Sequence, residues 1–312
     1  MAWLITGSSG YIGQHVIEQF MLNDFKVIGL DSRNPSLDSP LKNQFKFYSG
    51  DICDQLVVSE IFKNEAIVGM VNLAALKSVE ESLSKPALYE KVNHEGVEVL
   101  LSEAVKAGVK YFIQSSTAAV YGSSSSGYVD ESSPTVPISP YGKTKLRAEA
   151  ALQAKMREGA LRGTALRYFN VIGSSRPELK DSSTANIVPM VLAALEGGQS
   201  PKIFGDDYQT PDGTCVRDYV HVSDLARAHV LAARTVQEID LPGVINIGTG
   251  QGYSVREIIE EILRQKSSSL APEIKPRRKG DPAMLVASVQ LAEDALGFKA
   301  EKGLAEMISS AI

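Results

Sequence analysis

Short apolar runs alternate with helical segments through the first half of this chain. Trp3 to Thr6, Lys26 to Asp31, Phe45 to Ser49, Val68 to Leu73, Tyr111 to Ser115 and Thr164 to Tyr168 read as strands. Ile12 to Asn23, Gln55 to Asn64, Pro86 to Ala107 and Tyr141 to Arg157 read as amphipathic helices between them. Near-continuous apolar strands need cover on both faces, and parallel strands need a crossover to return to the same edge. The alternation therefore predicts an α/β fold, a parallel sheet wrapped by helices, with ligands bound beyond the carboxyl ends of the strands.

After Asn170 the regularity breaks. A polar stretch from Gly173 to Ala185, a helix from Ile187 to Glu196 and a turn-rich run from Gly205 to Thr214 predict a smaller cap over the sheet. A helix from Val222 to Thr235 and a strand from Val244 to Ile247 read as a return to the sheet, and the remainder, with its basic run Lys275 to Asp281, as cap. The expected division is 1–169 with 215–245 as one domain and 170–214 with 246–312 as the other. There is no internal repeat, and Ser123 to Ser126 reads as a surface turn.

Composition narrows the partners. A formal charge of -5 argues against nucleic acid, and no apolar run reaches membrane-spanning length. Cys53 and Cys215 lack metal-ligand spacing, so they read as packing thiols in a reducing, cytoplasmic setting, and no metal is expected.

The first strand runs straight into Gly7-Ser8-Ser9-Gly10-Tyr11-Ile12-Gly13 and then into a helix. Glycines there let the backbone turn sharply and bring a pyrophosphate onto the helix N-terminus, the chemistry of a Rossmann-type doubly wound sheet. Asp31 ends the second strand, where a carboxylate accepts from both ribose hydroxyls and repels a 2′-phosphate, so NAD is expected over NADP, with Arg33 able to soften that preference. Asp51 and Ile52 follow the third strand, where Asp51 either accepts from the adenine amino group or caps the next helix. Further on, Tyr141 and Lys145 stand one helical turn apart behind Pro140. A free phenol titrates near roughly 10, so a neighbouring ammonium is what would turn Tyr141 into a base.

The glycine pattern, the Tyr141-x-x-x-Lys145 pair and the patch Ser115-Ser116-Thr117 together resemble the extended short-chain dehydrogenase/reductase family. The resemblance implies that Thr117 bonds the sugar 4-hydroxyl beside Tyr141, that Ser116 supports the site, and that Lys145 binds the nicotinamide ribose and lowers the tyrosine pKa. Within that family, the run Phe204 to Val222 is similar to that of UDP-glucose 4-epimerases nearly residue for residue. Leu73-Ala74-Ala75-Leu76-Lys77 and Leu166-Arg167-Tyr168-Phe169-Asn170 resemble the same subfamily. By that likeness Leu73, Ala74, Ala75, Lys77, Asn93, Ser115 and Tyr168 face the cofactor, beside Ser9, Tyr11 and Ile12. Lys77, Asn170, Asn186, Phe204, Arg217, Arg278, Asp281 and Leu285 face a UDP-sugar, with Arg217 and Arg278 clamping its phosphates bidentately.

The same resemblance implies a reversible 4-epimerisation of UDP-glucose and UDP-galactose with tightly bound NAD. Dehydratases and decarboxylases of the family place an extra acid or base after the Ser/Thr patch, where this chain has Ala118-Ala119. Alternatives are epimerisation of an N-acetylated UDP-sugar, which Leu285 as the residue gating the sugar 2-substituent leaves open, of a uronate or pentose UDP-sugar, which would want a cation for a carboxylate or less room at C6, and a non-catalytic NAD-dependent regulator. A homodimer through Pro86 to Ala107 and Tyr141 to Arg157 is expected on the same ground.

Overall fold

The strand Ala2–Thr6 is buried along its whole length, and its side chains alternate between two cores. Trp3 and Ile5 pack with Val16, Phe20 and Leu225 on one face, whereas Ala2 and Leu4 pack with Ile28, Val58 and Leu100 on the other. Each Leu, Ile, Val or Phe side chain among these that is removed from water contributes about 1.5–3 kcal/mol. The computed structural model, which describes residues 1–36, 39–124, 127–183, 185–278 and 280–312, sets this strand inside a seven-stranded sheet. Its order is Val244–Ile247, Arg162–Tyr168, Tyr111–Thr117, Ile67–Asn72, Ala2–Thr6, Val27–Asp31, Lys46–Ser49, with every neighbouring pair parallel. Strand order reverses beside Ala2–Thr6, which places a binding crevice at the carboxyl ends there. Residues 125 and 126 of the expected surface turn lie outside the described residues.

Helices Tyr11–Leu22 and Val222–Glu238 cover the first face, and Gln55–Asn64, Gly96–Lys106 and Pro140–Arg157 the second. A second sheet runs Gly252–Ser254, Val216–His221, Met284–Ala287, Tyr128–Val129, and Asn170–Ile172 pairs with the far end of Val216–His221. Its core is Ile172, Val188, Tyr219, Ile258, Ile262 and Met307. Among the described residues no helix is long and apolar enough to cross a membrane.

Three expectations change. Residues 215–245 do not stay in one layer: Val216–His221 is a central strand of the second sheet, whereas Val222–Glu238 lies on the first. The segment 246–312 also divides, because Gln290–Leu296 and the Phe298 that follows it return to the first lobe, where Ala292, Leu296 and Phe298 are buried. An apolar strand pattern specifies burial but not the sheet that provides it. The run Pro86 to Ala107 is not one regular helix but Pro86–Glu90, a wide π turn Lys91–Glu95, and Gly96–Lys106.

Candidate active site

The glycine turn is shaped by contacts that leave no room for side chains. Gly7 has φ +66°, and a Cβ there would lie 2.7 Å from the Ala74 nitrogen; a Cβ on Gly13 would lie 2.1 Å from the Gly7 carbonyl oxygen. The helix Tyr11–Leu22 begins at Gly10 with no side-chain cap, so its first N–H groups face the cleft without a side-chain acceptor. Asp31 sits beside them, 6 % exposed, accepting from the Ser9 N–H at 3.0 Å and the Arg33 N–H at 2.9 Å. An anion-binding helix start, a turn that only glycine can fill and a fixed carboxylate at the next strand end fit the pyrophosphate and adenosine ribose of NAD. Ile52 is buried, whereas Asp51 is exposed and accepts from Cys53 N–H; the cap of the following helix is Asp54, not Asp51.

Across the crevice, Ser139 accepts from the Gly142 N–H at 3.1 Å and Pro140 opens the helix, which fixes where Tyr141 emerges. A Cβ on Gly142 would lie 2.7 Å from the Ala119 carbonyl, so the helix start rests directly on the Ala118–Val120 turn. That contact brings Tyr141 to Thr117, whose hydroxyl reaches the phenol. Burial nonetheless holds the phenol above its usual value, with the Thr117 hydrogen bond working against it. Lys145 is buried and donates to the Ser115 carbonyl at 2.9 Å and hydroxyl at 3.0 Å. Burial brings its ammonium down to about 8, opposed by the Glu149 carboxylate. The expected lowering of the Tyr141 pKa by Lys145 is therefore not seen: desolvation dominates, and the ammonium is turned onto Ser115.

The loop Leu73 to Lys77 is held over this region. Asn93, in the π turn, accepts from Leu76 N–H at 2.8 Å and donates to Leu76 carbonyl at 2.9 Å, so its amide braces the loop. Tyr168 is buried, and its hydroxyl bonds His229. Lys77 is exposed and lies 3.9 Å from Asp181 rather than beside Glu80 or Glu81.

On the cap side, Tyr219 pairs in register with Asn170, and Arg217 with Leu285. Leu285 is buried with Ala118, Val120 and Phe169. Arg217 lies 3.9 Å from Asp281 and donates to Val216 carbonyl at 2.9 Å. Arg278 stacks 4.1 Å above the Phe204 ring. Asn186 precedes the helix Ile187–Glu196 and donates to Asp181. First lobe and cap meet at the same crevice, where the half-buried Tyr11 donates to the Gly173 carbonyl at 2.6 Å.

Sequence reasoning missed the polar groups underneath. Thr6, Asn72 and Gln114 are fully buried and bonded in series across three neighbouring strands, with Gln114 donating on to the Ser115 carbonyl. Glu149 and Arg167 form a buried bidentate pair below Ser116. Polar residues inside otherwise apolar strand runs were the available signal. Asp181, within the irregular polar stretch, carried none.

The chain matches the NAD dependent epimerase/dehydratase family over residues 3–248. The chain belongs to that family. A UDP-glucose 4-epimerase of Halalkalibacterium halodurans is 39 % identical over 96 % of this chain and 90 % of its own. A UDP-glucose 4-epimerase of Stenotrophomonas maltophila, solved with bound NAD and formylated UDP-arabinopyranose, superposes with a TM-score of 0.93 at 35 % identity, covering 100 % of this chain and 96 % of that one. The Brucella ovis UDP-glucose 4-epimerase in complex with NAD gives 0.93 at 36 % identity over 99 % and 97 %. In this epimerase/dehydratase chain, the glycine turn and Asp31 stand at the ends of Ala2–Thr6 and Val27–Asp31, and Tyr141, Thr117 and Lys145 gather at the end of Tyr111–Thr117.

Proposed function

We propose that this chain is an NAD-dependent UDP-glucose 4-epimerase that interconverts UDP-glucose and UDP-galactose. The observation that supports it most is the convergence of Tyr141, Thr117 and Lys145 at one strand end, followed by Ala118-Ala119 with no second acid or base. NAD, when bound, would supply the acceptor and then the donor of the C4 hydride. Tyr141 takes the proton of the sugar 4-hydroxyl, directly or through Thr117, and returns it to the inverted alcohol. Lys145, held by the Ser115 carbonyl and hydroxyl, is placed to bind the nicotinamide ribose. Arg217 and Arg278 hold the diphosphate while the 4-keto hexose turns over, and Phe204 borders the uracil. With no acid or base at Ala118-Ala119 to remove a further proton, the ketone has no route but reduction.

Leu285 in the floor beside Ala118 is neither bulky aromatic nor small, so N-acetylated and pentose sugars belong in the test. Purified protein incubated with UDP-galactose, UDP-N-acetylgalactosamine and UDP-xylose without added NAD is expected to form the 4-epimer of the first. Conversion of none overturns the reading. A homodimer is part of the proposal: Leu83 and Leu88 stay 64 % and 42 % exposed on the helices beside the Tyr141 helix. Light scattering is expected to give twice 33.6 kDa, and Leu88→Glu the single-chain mass.

A further inference from the structure

The helix Pro140–Arg157 carries one more buried ionic residue on the face of Tyr141 and Lys145, and no step above uses it. Glu149 stands one turn beyond Lys145 and is 2 % exposed. It accepts from the Ser116 hydroxyl, from Arg167 Nε at 2.9 Å and from Arg167 Nη2 at 2.8 Å. Arg167 donates from Nη1 to the Tyr121 hydroxyl at 2.9 Å, which donates to Asn246 at 2.7 Å, and the Asn246 N–H reaches Glu131 at 2.6 Å. One chain of bonds thus joins the helix to three neighbouring strands of the first sheet.

Stability alone does not explain the pair, because a buried ion pair gains little over apolar residues of the same volume. Its place does. Ser116 lies between Ser115, which accepts from Lys145, and Thr117, which touches Tyr141. Small displacements of such groups are costly to a reaction that needs all of them at once.

We propose that Glu149 is a positioning residue: clamped by Arg167, its carboxylate orients Ser116 and places a fixed negative charge beneath the Lys145 ammonium. This rests on the 4-epimerase reading above. The groups facing Glu149 are Lys145 on its own helix and Ser116 and Arg167 on the strands, with Tyr121 and Glu131 beyond Arg167. Lys145 responds in the expected direction, since Glu149 opposes the loss of its proton that burial favours.

The test compares wild type, Glu149→Gln and the double variant Glu149→Leu/Arg167→Leu, which removes both partners of the ion pair together. Rates with UDP-galactose and the Lys145 titration by NMR are both followed across pH in the purified holoenzyme. The double variant is expected to fold and keep KM, to lose about tenfold or more in kcat, and to show both its alkaline rate limb and its Lys145 titration about one pH unit lower. Glu149→Gln is expected to shift both the same way. Wild type that epimerises beside variants with unchanged kcat and unchanged Lys145 titration overturns this inference alone. Loss of folding in both variants assigns the pair to the fold and also overturns it. Wild type that converts no sugar overturns both this inference and the reading beneath it.

Discussion

At Tyr141, burial and the proposed chemistry pull in opposite directions. The phenol keeps its proton above the usual range because its surroundings are poorly solvated, and only Thr117 acts against that. A base of this kind needs a positive charge delivered with the cofactor, so the stripped chain should show a Tyr141 absorbance titration above roughly 10 that falls on addition of NAD. Tyr141→Phe should keep the fold and bound NAD while losing about 10²–10⁴ in kcat, read from 4-epimer formation. The Tyr141 and Lys145 pair was legible because residues four apart on one helix are neighbours whatever the fold. That Lys145 turns to Ser115 was not, since that partner lies 30 positions away and reaches it only through the sheet.

Elements show the same division between near and far. The strand, turn and helix at the amino end could be read residue by residue, because its geometry needs only glycine where φ is positive or a backbone approaches. Gly13→Ala should put a methyl against the Gly7 carbonyl, where 2.1 Å is available, and abolish co-purified NAD, measured by absorbance of the released nucleotide. The helix from Pro86 was legible in outline but not in its break. Local propensity favours unbroken helix there, whereas the π turn is coupled to Asn93 bonding Leu76 and contacting Thr144 on the neighbouring helix. Asn93 and Gly96 within a helical run were the only hint.

Across the whole molecule the two lobes share a polar seam. His15 bonds Ser174, His221 bonds Ser310, and Ser175 and Arg176 bond Glu18, tying the first helix to the cap and the last helix. Burial brings both His221 and His229 down to about 4. A histidine lowered on folding binds fewer protons than in the unfolded chain, so its contribution is complete above about pH 6.5 and drains as pH falls toward 4. Each accounts for about 3 kcal/mol when fully lost. Thermal stability should therefore fall steeply as pH drops from about 6.5 to 4.5, and His229→Gln should flatten that slope. The amino-acid sequence by itself determined the parallel sheet, the glycine turn and the Tyr141–Lys145 spacing, because each rests on periodicity or on residues within a turn of one another. Only the tertiary structure decided which sheet takes Val216–His221, where Gln290–Leu296 returns, and that Glu149 and Arg167 lie beneath the crevice. Those depend on pairing between distant segments, and a strand's apolar pattern records that it is buried without recording by what.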